Sequence, residues 1–78
     1  MAKFKVGQEV FFANYVGNKI RPISKNGGVI LCDVIKSQYV HRGVIYYTFE
    51  HLCFRLPENK LFTTQKEIKN YLKGGSYD

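Results

Sequence analysis

The chain has 78 residues, 45% of them hydrophobic and 15% aromatic, with no tryptophan. That suffices for one domain with a modest core and is too apolar for a disordered segment. Twelve Lys and Arg against six Asp and Glu give a formal charge of +6, which favours an anionic partner: nucleic acid, an acidic protein surface or anionic lipid.

Ala2 to Lys5 reads as a short basic lead-in, and Val6-Gly7 as a turn. Glu9 to Tyr15 is rich in β-formers, with Val10 and Phe12 on one face and Phe11 and Ala13 on the other. Val16-Gly17-Asn18 turns the chain into a second strand, Lys19 to Ile23. Lys19, Arg21 and Ile23 share one face of it and Ile20 takes the other. Pro22 cannot donate a ladder hydrogen bond, so this strand belongs at a sheet edge or bulge. Lys25-Asn26-Gly27-Gly28 is a tight-turn signal.

Val29 to Ser37 is the most apolar strand and is predicted to be central, with Asp33 marking its solvent side. Gln38 to Gly43 reads as a loop with His41-Arg42-Gly43 at its tip. Val44 to Glu50 alternates, sending Ile45, Tyr47 and Phe49 inward and Tyr46, Thr48 and Glu50 outward. His51 to Leu56 forms a fifth strand or a bent extension of the fourth, and Pro57-Glu58-Asn59 a turn. Thr64-Gln65-Lys66-Glu67 is a capping box. The helix it opens runs through about Leu72, burying Ile68, Tyr71 and Leu72 and exposing Lys66, Lys69 and Lys73. Gly74-Gly75 stops it, and Ser76 to Asp78 reads as a frayed tail.

Together these elements predict a mainly β fold, a partly open five-stranded barrel with a short C-terminal α-helix. One domain spans residues 1–78, with strands over about 8–56, a helix over about 64–73 and a tail over 74–78. The opening Phe4-Lys5-Val6-Gly7-Gln8-Glu9-Val10-Phe11-Phe12 resembles the entry of many SH3-like small barrels. Leu61-Phe62-Thr63-Thr64 followed by Glu67 resembles the strand-to-helix ending of small uncharacterised bacterial and phage proteins of that shape. The resemblance implies a binding module for peptide, RNA, DNA or another domain, and a bacterial or phage source. The acidic loop with which peptide-binding SH3 domains dock Pro-rich ligands is missing here, which argues against that ligand.

Little in the chain suggests catalysis. Glu67 is used by the capping box, and no two of the remaining acids sit at a spacing that forces them together. Cys32 and Cys53 sit in apolar surroundings and read as buried, inert, free thiols. Cys32, His41, His51 and Cys53 are too dispersed for a structural zinc site. No phosphate-binding loop is present, so neither an enzyme nor a cofactor is predicted. Met1 to Val10 lacks the apolar core of a signal peptide, and Gly28 to Cys32 is too short to span a membrane, so the expectation is a cytoplasmic protein.

The pattern that points to chemistry is basic residues interleaved with tyrosines. Tyr15, Lys19, Arg21 and Lys25 lie on the first hairpin, Lys36, Tyr39 and Arg42 beyond the central strand, and Tyr46 outward on the fourth. Cations that track phosphates beside aromatic faces that stack bases are what single-stranded nucleic acid requires. The alternative is a protein-interaction module, a phage or mobile-element regulator or inhibitor of a host protein. It would use an open sheet edge at Pro22 or an apolar patch of Phe11, Leu31 and Ile35. The oligomeric state stays open.

Overall fold

The computed structural model describes residues 2–23 and 28–74. The turn predicted over Lys25 to Gly28 therefore lies largely outside the described residues, as does the predicted tail beyond Gly74. Among the described residues six strands appear in chain order: β1 (Glu9–Ala13), β2 (Tyr15–Val16), β3 (Lys19–Ile20), β4 (Ile30–His41), β5 (Val44–Phe49) and β6 (Arg55–Pro57). A single 3-10 turn, Glu58–Lys60, and one helix, α1 (Gln65–Gly74), follow. The main sheet is an antiparallel meander in the order β1-β4-β5-β6, and β2 and β3 form a separate two-stranded ribbon.

The sheet curls into a half-barrel. After the 3-10 turn the chain crosses back to the free edge of β1. There Phe11 N–H donates to the Phe62 carbonyl at 2.8 Å and Phe62 N–H returns the bond at 2.9 Å. Residues from both ends of the sheet thus fill one core: Phe4, Val10, Phe12, Ile35, Tyr47, Phe49, Leu56 and Leu61. A smaller cluster of Ala13, Ile20 and Val29 takes Leu72 of α1. Among the described residues, no helix is long and apolar enough to cross a membrane.

The inward faces of β1 and β5 follow the predicted alternation, and β4 is central. The predicted second strand is much shorter. Only Lys19–Ile20 pair, while Arg21, Pro22 and Ile23 continue outside any strand, so there is no Pro22 edge strand. Phe4 is core and not lead-in. Its amide donates to the Tyr47 hydroxyl at 3.2 Å, and that hydroxyl donates to Glu58 at 2.7 Å. The Lys3 amide also donates to Glu58, at 2.7 Å, which staples the N-terminal segment across the barrel. In the capping box the Glu67 amide donates to Thr64 Oγ1 at 3.2 Å, but the Glu67 carboxylate accepts from the Thr63 amide, one residue early. Of the helical stripe, Ile68 is buried, Leu72 half-buried and Tyr71 exposed, lying against the Phe62 ring.

Asp33 departs most from the sequence reading. It faces the interior, only 4% exposed. Its carboxylate accepts from the amides of Val34 (2.7 Å), His51 (3.1 Å) and Leu52 (2.8 Å), and from His51 Nδ1 (3.0 Å). Burial by itself would raise the Asp33 pKa. The hydrogen bonds from His51, Val34 and Leu52 outweigh it and hold the carboxyl below its usual value. Glu58 is held low as well, first by the Lys3 amide and then by the Tyr47 hydroxyl.

A folded-state pKa below the unfolded one gives stability that is complete above the unfolded value and lost as pH falls through the folded one. Stability should therefore fall as pH drops below about 4. Asp33→Ala leaves backbone donors of the 51–52 segment unpaired and should cost about 2–4 kcal/mol in urea denaturation at neutral pH. Asp33→Asn should flatten the acid limb of the stability curve. An unchanged acid limb would show that Asp33 does not set it.

Candidate functional site

The outward face of the hairpin depends on a bulge in β4. Ile35 pairs with Phe49, yet Ser37 pairs with Thr48, leaving Lys36 as the extra residue. Side chains alternate with period two, so an inserted residue exchanges the faces beyond it. Asp33 and Ile35 point inward, whereas Ser37, Tyr39 and His41 share the outward face with Thr48 and Tyr46. Without the bulge, Tyr39 would be on the core side.

Tyr39 sits directly opposite Tyr46, and their rings stack with centroids 5.6 Å apart and planes 13° from parallel. The His41 ring meets Tyr46 edge-on at 6.3 Å. On the far side of β5, Pro57 is opposite Tyr46 and Arg55 opposite Thr48. Tyr39, Tyr46 and Pro57 thus form a row across three strands. Beside it, Tyr39, His41, Tyr46 and Arg55 line a cleft of about 280 Å³. The predicted loop over Gln38 to Gly43 shrinks to two residues, because pairing continues to His41 opposite Val44. Arg42 (φ 53°) and Gly43 (φ 80°) both take positive φ, as a type I′ hairpin turn requires.

A second cleft of about 330 Å³ adjoins the first. Its lining includes Tyr15, Asn18, Arg55, Pro57 and Lys60. The Lys60 ammonium lies 5.4 Å from the centre of the Tyr15 ring. Burial, and the phenol of Tyr71 beside it, push the Tyr15 pKa up to about 12. A broader groove of about 540 Å³ runs from Lys36 and Ser37 past Thr48 to Arg55.

The structure therefore brings Tyr39 and Tyr46 into contact, sets Lys36 along the same face and puts Arg42 at the hairpin tip. Tyr15 belongs to the adjoining cleft. Lys19 and Arg21 are exposed on and just after the β2–β3 ribbon and line none of these clefts; Lys25 lies outside the described residues. Sequence reasoning passed over Arg55 and Lys60, and weighed His41 only as a metal ligand. The signal for Arg55 was present: a buried Leu56 in a strand sends both its neighbours outward. Lys60 gave none, because its position depends on the 3-10 turn. Among the described residues the one acid–base contact within salt-bridge distance is His51–Asp33, so none of the cations around these clefts has a carboxylate partner there.

The predicted apolar patch of Phe11, Leu31 and Ile35 is not an exposed surface: none of the three is exposed. Ile35 is core, Leu31 packs against it, and Phe11 is half-buried beside the Phe62 segment. Both cysteines are exposed, not buried. Cys53 lies in the segment between β5 and β6, and Cys32 Sγ donates to Glu9 at 3.1 Å on the outer face of the sheet. Among the described residues no three His, Cys, Asp or Glu gather as metal ligands. Comparison with protein-family models, curated proteins and solved structures finds no match to the chain.

Partial desolvation, aided by Glu9, pushes the Cys32 thiol up to about 11. Only the thiolate attacks, and its smaller fraction is partly offset by the greater nucleophilicity of a more basic thiolate, so Cys32 should alkylate about tenfold more slowly at neutral pH than a thiol of ordinary pKa. Glu9→Gln should speed it, as read by mass spectrometry of iodoacetamide-treated protein. Equal rates in the parent and Glu9→Gln would show that Glu9 does not restrain the thiol.

Proposed function

We propose that this chain is an SH3-like small barrel that binds single-stranded nucleic acid through the outward face of β4, β5 and β6, without catalysis. The SH3-like reading is supported by the meander order and by the 3-10 turn placed before a segment that pairs with β1. The observation that carries the binding reading is the stacked Tyr39–Tyr46 pair, presented on an open sheet face between cations that have no carboxylate partner among the described residues. A cross-strand aromatic pair contributes to the hairpin, but Tyr39 is still 37% exposed and leaves area on which a base can stack.

Arg42 supports the same reading. A left-handed backbone costs a residue other than Gly, Asn or Asp about 1–2 kcal/mol. Strain of this kind is retained where a side chain is needed. An arginine at the tip of the hairpin places a cation at the end of the tyrosine face.

A protein partner is the second reading, and a different observation favours it. β1 pairs with β4 only as far as Val34, so the opposite edge of β4 is open beyond the bulge, beside Val40 at 68% exposure. A partner strand could add there.

Fluorescence anisotropy with labelled single-stranded DNA, single-stranded RNA and duplex DNA separates the two. Single strands should bind, and affinity should fall several-fold from low to near-physiological salt as counterions are released. Tyr39→Ala should weaken binding by about fivefold or more. Arg42→Asn should be more stable than the parent, by about 1 kcal/mol, yet bind less tightly. Failure to bind any strand at low salt would overturn the proposal and turn the search to proteins.

A further inference from the structure

The cleft at Tyr39 and Tyr46 and the cleft at Tyr15 and Lys60 are not separate. Arg55 lines both, and so bridges them. Pro57, directly opposite Tyr46, lines the second cleft, so the row of side chains across the sheet runs from one into the other. Neighbouring strands are about 4.8 Å apart, which makes Tyr39 to Pro57 a path of about 10 Å. Each cleft has an aromatic ring and a cation: Tyr46 with Arg55 in one, Tyr15 with Lys60 in the other. None of these cations has a carboxylate partner among the described residues. Glu58, two residues before Lys60, is held by the Lys3 amide and the Tyr47 hydroxyl.

Resting on the nucleic-acid reading above, we infer that a single strand runs across the β-strands from Tyr39 to Lys60, with bases at Tyr46 and Tyr15 and backbone phosphates at Arg55 and Lys60. A duplex cannot use this path, because its bases are already stacked on one another. The two cations recognise phosphate without reading sequence, and the two rings accept any base. Arg55 is the joint. It lies beside both rings, so a phosphate held there fixes the spacing between the two bases. The Lys60 ammonium covers the Tyr15 ring in the free protein and swings to the second phosphate as a base takes its place on that ring.

The test uses labelled oligo-dT and oligo-U octanucleotides, with affinity measured by anisotropy over a series of salt concentrations. A phosphate contact and a stacking contact leave different marks. Arg55→Gln and Lys60→Gln should each weaken binding several-fold. Each should also reduce the slope of log K against log salt by about 0.7, the single-strand value for one lost phosphate contact. Tyr46→Ala should weaken binding by about fivefold to a hundredfold with the slope unchanged. Amide shifts should appear at Asn18 and Lys60 as well as at Tyr46 when either oligonucleotide is added. Thermal melts establish that each variant is folded.

Suppose Tyr46→Ala weakens binding while Lys60→Gln keeps the parent affinity and slope, and shifts stay near Tyr46. The two-cleft path is then overturned and the one-cleft reading stands. If the parent binds neither oligonucleotide at low salt, both fall. Tight binding of oligo-dT, oligo-U or both, with the expected slopes, supports the path and identifies the sugar it accepts.

Discussion

A buried carboxylate organises this curled, half-barrel sheet. Asp33 stands on the central strand, faces inward, and accepts hydrogen bonds from the segment that carries the chain from β5 to β6. Residues 50–54 form no strand, and within that segment the amides of His51 and Leu52 are tied to this side chain. An inward carboxylate without partners would be strongly unfavourable; with its bonds complete it becomes a rigid anchor. The entry into β6 follows from that anchor. The register of β6 against β5 then decides which side chains Tyr46 and Thr48 face.

Covering the free edge of the curled sheet is the second constraint. A curled antiparallel sheet leaves free edges at β1 and β6. The chain covers part of the β1 edge with Phe62, only five residues after β6 ends. The 3-10 turn makes that short crossing possible. It also sets Glu58 under the Tyr47 hydroxyl and Lys60 over the Tyr15 ring. Structure and candidate site therefore share one device. A chain of this length has few apolar residues to spare, and Phe4 and Leu61 complete the core from opposite ends of the sequence.

The surface that results is open and cationic, with shallow clefts. On the proposed reading, such a surface takes an extended, charged, flexible partner and not a small molecule enclosed in a cavity. The strained turn at Arg42 and the bulge at Lys36 place basic side chains at the two ends of the hairpin arm. One is held there at a conformational cost, the other by the extra residue that turns the tyrosines outward.

The inward faces of β1 and β5, the central place of β4, the turns at Gly7 and Gly17, and the helix with its Thr64 cap were legible in the sequence. All follow from local chemistry: period-two alternation, positive φ at glycine, and a hydroxyl that meets a helical amide. What escaped depends on partners distant along the chain. Asp33 reads as solvent-facing until the His51 and Leu52 amides arrive, 18 and 19 residues away. The β4 bulge is invisible in β4 alone, because only the register against β5 reveals the extra residue. Arg55 and Lys60 gain their place from β5, β6 and the 3-10 turn together. Composition and local pattern determined that this chain makes a basic β domain with tyrosines to spare. The tertiary structure decided which of those tyrosines meet and which cations flank them, because facing and proximity in a sheet are set by register between strands.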